Sequence, residues 1–222
     1  GPFLLTSVAL GASFLRLSKN HTLAQELYCI EMLARVDTLC LDKTGTITDG
    51  KMRVVEAVDL RPSNSTYTVR EIMAALNSAL KADNMTAKAL NKYFGCPKKT
   101  ALTPVCALPF SSERKLSAVS FRGVGTYILG APEFVMTVPN QRVTDMVQHY
   151  AEQGLRVLLL AYSTTAIAEG QSLPTMRRPV AVIVIEDHIR TDAPQTIEWF
   201  VKNGVNIKII SGDNPTAVSN IA

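Results

Sequence analysis

The sequence predicts an α/β protein, a parallel-sheet domain interrupted by an inserted α+β domain. Three stretches carry that reading. Residues 36–41 make a short β-branched and aliphatic run that stops abruptly at Asp42-Lys43-Thr44-Gly45-Thr46. Such a run, bounded by Gly and Thr, suits a strand buried on both faces of a parallel sheet. Residues 179–185 (PVAVIVI) read as a second buried parallel strand, and residues 205–210 as a further strand with a turn behind it. Between them, helical spacing alternates with several short strands, which marks residues 55–177 as an insertion.

Taken in order, residues 3–15 are apolar but fall short of the roughly 20 residues that a bilayer span needs. No basic leader precedes them, as it would in a signal peptide. Lys19, Asn20 and His21 make a basic patch. Leu23, Leu27, Ile30 and Leu33 then recur at helical spacing and predict a helix leading to the first strand. Asp49-Gly50-Lys51 is a turn, residues 52–60 a strand and 62–65 a loop. Val69–Leu80 reads as an amphipathic helix with Ile72, Ala75, Leu76 and Leu80 on one face. A second helix covers 86–94, and short strands follow between 103 and 129. A helix over 146–152 ends at Gly154, a common residue just past a helix, and residues 155–158 enter an apolar strand. Residues 163–178 are a loop, and a helix over 191–202 ends at Gly204.

Composition narrows the functional classes. At 222 residues the chain holds one large or two small domains with ample core. A net charge of +4 with both signs interspersed, and no basic run interleaved with aromatics, speaks against nucleic acid as a partner. Cys29, Cys40, Cys96 and Cys106 form no C-x-x-C pair and, with three histidines, suggest no zinc framework. They read as buried or incidental thiols of a reducing compartment.

In open α/β sheets the chemistry collects just outside the carboxyl ends of the strands, and Asp42 sits there. A carboxylate so placed can attack phosphorus and carry the phosphoryl group as an acyl phosphate. Lys43 supplies positive charge beside it, and Thr44, Gly45 and Thr46 offer hydroxyls and N–H groups in a turn that can wrap a phosphate. A lone Asp at a strand end is usually a plain polar junction. A contiguous Asp-Lys-Thr-Gly-Thr behind an apolar strand is far more specific. Near the other end, Ser211-Gly212-Asp213 places a hydroxyl, a glycine and a helix N-terminus behind a strand, which makes an anion site. Asp213 reads equally as the cap of that helix.

Residues 42–48 (DKTGTIT) resemble the phosphorylation signature of the P-type ATPases, membrane ion pumps of the haloacid-dehalogenase-like superfamily. The resemblance implies a Rossmann-like haloacid-dehalogenase-type parallel-sheet phosphorylation domain, incomplete here, with an inserted α+β nucleotide-binding domain. It implies that Asp42 takes the γ-phosphoryl of ATP among Lys43, Thr44 and Thr46, and that Asp42 and the Thr44 carbonyl are Mg²⁺ ligands. Related phosphatases carry a second Asp where this chain has Thr44, so a lasting phosphoenzyme, and hence a pump, is favoured.

Residues 109–115 (PFSSERK) resemble a nucleotide-binding segment of these pumps, in which Phe110 stacks on adenine and Ser111 and Lys115 line the pocket. By themselves they read as a strand end and a solvated turn. Gly130-Ala131-Pro132-Glu133 resembles a second pocket element, whose glycine admits the nucleotide. Leu129 stands where the family commonly has Lys, and no acidic residue for adenine is evident near 86–90. Arg156 matches an arginine that reaches the phosphates, a task suited to a bidentate guanidinium, and reads otherwise as a surface residue at a strand start. Residues 186–190 resemble the pumps' hinge, with Asp187 and Arg190 its functional members; a capping loop is the plain alternative, and His188 reads as a surface residue. Ser211, Gly212 and Asp213 match a phosphate motif, with Ser211 toward the phosphoryl oxygens.

The expected domains are therefore 1–20, the cytoplasmic end of a transmembrane helix; 21–54, the first part of the phosphorylation domain; 55–177, the nucleotide-binding domain; and 178–222, the second part of the phosphorylation domain. The implied partners are ATP with Mg²⁺, a transported cation bound outside these residues, and a membrane. The implied location is the cytosolic side of the bacterial plasma membrane. Heavy-metal pumps carry a His-Pro element that is missing here, which points to calcium or another light cation. The family's later Lys and Gly-Asp-x-x-Asn-Asp loop do not occur, so these residues are expected to bind ATP with almost no turnover. A soluble phosphatase and a nucleotide-binding module without turnover are the competing readings.

Overall fold

Residues 2–26, 28–167 and 172–210 are described by the computed structural model. In chain order the elements are α1 (Pro2–Lys19), α2 (Tyr28–Leu33), β1 (Thr38–Asp42), β2 (Thr48–Asp59), α3 (Val69–Leu80) and α4 (Met85–Phe94). There follow β3 (Pro104–Leu108), β4 (Leu116–Phe121), β5 (Gly125–Gly130), α5 (Pro132–Val135) and α6 (Gln141–Glu152). The last are β6 (Arg156–Ser163), β7 (Arg178–Ile189), α7 (Ala193–Lys202) and β8 (Asn206–Ile210). They fall into two units, one of residues up to 41 together with 191–210, the other of residues 42–190.

In the first unit, β1 and β8 pair as a piece of parallel sheet, and α7 packs on β8. The Asn206 N–H donates to the Asp37 carbonyl at 2.8 Å, tying the starts of the two strands together. The apolar N-terminal run is helical as α1, and no helix among the described residues is long and apolar enough to cross a membrane. The helix expected to lead to β1 is not continuous. His21 adopts φ 57°, a left-handed conformation that stops α1, and only the short α2 follows.

The second unit is a six-stranded sheet in the order β2-β7-β6-β5-β4-β3, antiparallel throughout. The expectation of a parallel strand over 179–185 is corrected here: β7 runs antiparallel to both β2 and β6. The physical reason is that an unbroken apolar run reports burial on both faces, not strand direction. Ala181, Ile183 and Ile185 enter one core, while Val182 and Val184 enter the other. Helices α3 and α4 build the first core and residues of α5 and α6 the second. The same double cover explains why every residue of β4 and β5 is buried.

The helix over Val69–Leu80 lies where the periodicity places it, with Ile72, Ala75 and Leu76 buried. Its start is fixed by a capping box: Thr68 Oγ1 accepts from the Glu71 N–H, and Glu71 Oε2 accepts from the Thr68 N–H. The helix expected from 146 begins earlier, at Gln141, because Asn140 caps it through the Val143 N–H.

Candidate functional site

The chain leaves β1 at Asp42 and reaches β2 at Thr48 through one tight turn. Gly45 sits in it at φ 81°, a conformation open to glycine at no cost. Thr48 closes the turn: its N–H and its hydroxyl both donate to the Lys43 carbonyl, the hydroxyl at 3.3 Å, and Oγ1 accepts from the Gly45 N–H at 3.3 Å. Asp42 Oδ1 accepts from the Thr44 N–H at 3.3 Å, so the carboxylate is held at the mouth of the turn while remaining exposed. Thr44 and Thr46 are exposed as well.

Lys43 takes the opposite course. Its side chain is only 2% exposed, and Nζ donates to Asp187 Oδ2 at 2.7 Å. Asp187, 5% exposed, also receives Arg156 Nη2 at 3.5 Å. Sheet register explains the meeting. Arg156 opens β6 opposite Ile185 and Met52 stands opposite Asp187, so Met52, Arg156 and Asp187 share one face at the end of the sheet. Asp187 Oδ1 is buried without a hydrogen-bond partner among the described residues, an acceptor left over beside two cations.

This end of the sheet opens into a cavity of about 1180 Å³. Lys43, Thr44 and Arg156 line it, together with Phe110, Lys115 and Gly130. That volume exceeds the ordinary range for a small-molecule site, so a nucleotide fits with room to spare. Phe110 is 51% exposed. Ser111 turns inward to its own loop instead, accepting from the Arg114 N–H at 3.2 Å, and Ser112 lines the cavity in its place. Leu129 is buried in the core and also lines the cavity, where it presents apolar surface. At Gly130 a Cβ would stand 2.5 Å from the Lys115 carbonyl oxygen and 2.5 Å from Leu116 Cβ. The missing side chain therefore makes room for the neighbouring strand. Ser211, Gly212 and Asp213 lie outside the described residues.

Among the described residues no group of three His, Cys, Asp or Glu side chains is placed to hold a metal. The donors present, one exposed carboxylate at Asp42 and the Thr44 carbonyl, fit Mg²⁺, which typically takes one or two carboxylates and completes its shell with water and substrate phosphates.

Residues 36–222 match the family model for haloacid dehalogenase-like hydrolases. The chain belongs to that family. Over its whole length it is 38% identical to the calcium-transporting ATPase CtpE of Mycobacterium tuberculosis and to that of Mycobacterium bovis, matching 27% of each. The probable cation-transporting ATPase exp7 of Streptococcus pneumoniae serotype 4 is 38% identical over 225 residues, again all of this chain and 28% of that protein. The chain thus spans about a quarter of the length of the curated relatives it matches. Its fold also follows the crystal structure of a zinc-transporting PIB-type ATPase in the E2.Pi state, with a TM-score of 0.61 over 98% of this chain and 32% of that one. At 20% identity that likeness concerns the fold alone. Along its whole length the chain is thus similar to the haloacid dehalogenase-like part of P-type cation-transporting ATPases.

Within this family member, two residues have more structural work than their letters announced. Thr48 looked like the tail of a motif and is the clamp of the turn after β1. Asp187 looked like one member of a hinge and is the shared acceptor for Lys43 and Arg156. The sequence carried no signal for Asp187 in this role, because Lys43 stands beside Asp42 in the chain and its burial is decided by the tertiary structure. His188 is exposed and pairs with Asp49 at 3.1 Å, and Arg190 donates its N–H to the Ile47 carbonyl at 3.0 Å.

Proposed function

We propose that this chain is the phosphorylated and nucleotide-binding part of an ATP-driven cation pump, with calcium as the transported ion. The observation that carries the reading is the turn after β1, which exposes Asp42 while burying its neighbour Lys43 against Asp187. In this reading ATP enters the cavity with its base on Phe110 and its phosphates toward Arg156 and the turn. An oxygen of the Asp42 carboxylate bonds to the γ-phosphorus as the bond to the β,γ-bridging oxygen breaks, giving an aspartyl phosphate and ADP. Mg²⁺ held by Asp42 and the Thr44 carbonyl supplies charge neutralisation for the phosphates. Thr44, in place of a second carboxylate, provides no base to hasten hydrolysis, and the phosphoenzyme lasts long enough for a conformational change.

The nucleotide-binding domain is assigned to 55–177, flanked by phosphorylation-domain parts 21–54 and 178–222, with residues 1–20 continuing to the membrane. The cytosolic face of a bacterial plasma membrane is the matching location. Calcium is favoured because the mycobacterial relatives are calcium-transporting ATPases. The test is to give the full-length protein γ-labelled ATP with and without calcium. Expected is an acid-stable, hydroxylamine-labile label that calcium raises and Asp42→Asn abolishes. Label persisting in the folded Asp42→Asn protein would remove Asp42 from its role, and label indifferent to calcium would remove the ion.

A further inference from the structure

Arg177 lies outside the cavity lining but is built into the support of one wall. Its Nη1 donates to the Phe134 carbonyl at 3.0 Å and to the Val135 carbonyl at 3.2 Å, and Nε donates to the Pro174 carbonyl at 2.7 Å. The reason it is needed is local. α5 has four residues, too few to satisfy its own last carbonyls. Arg177 takes two of them and fixes the helix end against the segment before β7.

Phe134 is the member of α5 that faces a charge. Lys115 Nζ stands 5.6 Å from the centre of its ring, within the range of a cation–π contact. The backbone of Lys115 is restrained from both sides. Its N–H donates to the Ser111 carbonyl at 2.8 Å, its carbonyl accepts from the Ala131 N–H at 3.1 Å, and its φ is 51°. With the backbone so held, the position of the ring decides where the ammonium rests. Lys115, Pro132 and Glu133 all line the cavity.

We infer that Arg177 is a positioning residue for nucleotide binding: by pinning the end of α5 it places the Phe134 ring, and the ring places the Lys115 ammonium for a polyanionic ligand. The inference rests on the nucleotide reading of the cavity. It predicts a residue that affects ATP affinity without touching ATP, and only through Lys115.

The test is a double-mutant cycle on the binding of Mg²⁺ and a non-hydrolysable ATP analogue to this chain, followed by calorimetry. Arg177→Gln is expected to weaken binding about threefold to tenfold, and Lys115→Ala by a similar factor, the range of one exposed cation–π or charge contact. In the Lys115→Ala background, Arg177→Gln should have no further effect. A full additional loss there would mean that Arg177 acts elsewhere and would overturn the inference, as would normal affinity in folded Arg177→Gln. Should Arg177→Gln not fold, Phe134→Leu takes its place in the same cycle, and additivity with Lys115→Ala again overturns it. Absence of binding by the folded wild type is a separate result, and it defeats the nucleotide reading itself.

Discussion

At the scale of single residues, adjacent side chains in the turn after β1 have opposite fates. Asp42 is exposed, whereas Lys43 is buried with its ammonium on Asp187. Lys43 was expected to lend its charge to the phosphoryl group. Its position makes that charge first a counter-ion within the fold, shared at Asp187 with Arg156. A buried pair of this kind is weak evidence of stability as a pair but costly to break from one side. Asp187→Leu is expected to lower the unfolding free energy of the chain by about 3–5 kcal/mol, and the double variant Lys43→Met/Asp187→Leu by much less. Urea denaturation of the three proteins checks this. Equal losses in the single and double variants would show that Asp187 contributes through other contacts.

At the scale of elements, the turn between β1 and β2 depends on Thr48, whose hydroxyl bridges the Gly45 N–H and the Lys43 carbonyl while 1% exposed. Thr48→Val keeps the shape and removes both hydroxyl bonds, and since the Thr48 N–H still serves the Lys43 carbonyl the expected cost is about 0.5–1.5 kcal/mol. Under the proposed function, the same loosening should slow phosphorylation of Asp42 in the full-length protein, since transfer depends on positioned groups. Thermal unfolding and the initial labelling rate are the two readouts, and a stable variant labelled at the wild-type rate would contradict the clamp. Strand direction also belongs to this scale. β7 reads as a parallel strand because residues 179–185 are apolar without a break, yet it pairs antiparallel, since two helical layers bury both its faces and burial does not fix strand direction.

At the scale of the whole molecule, the doubly covered sheet buries a tyrosine phenol that titrates there only at a cost. Tyr127 is buried in the core beside Tyr162, with ring centroids 5.1 Å apart. Burial, then the Tyr162 phenol, pushes its pKa from 10.0 up to about 12. The unfolded chain releases this proton at a lower pH than the folded one, so between those values the folded state binds more protons. Stability from the neutral phenol is thus complete below pH 10 and is lost as pH rises toward about 12. Tyr127→Phe is expected to move alkaline unfolding to higher pH, measured by circular dichroism along a pH titration. An unchanged alkaline midpoint would assign the transition to other groups.

Much of this protein was legible in its letters. The strand ending at Asp42, the helix over Val69–Leu80 and the family itself follow from hydrophobic spacing and a contiguous polar motif, both of which act over a few residues. The join of Lys43, Arg156 and Asp187 was not legible, because it is made by sheet register between residues far apart in the chain. Nor was the reason for Gly130, whose missing Cβ answers to the backbone of Lys115 rather than to anything in its own segment. Local physics writes the turn and the helices into the sequence. Only packing decides which way a doubly buried strand runs and which distant carboxylate a buried lysine finds.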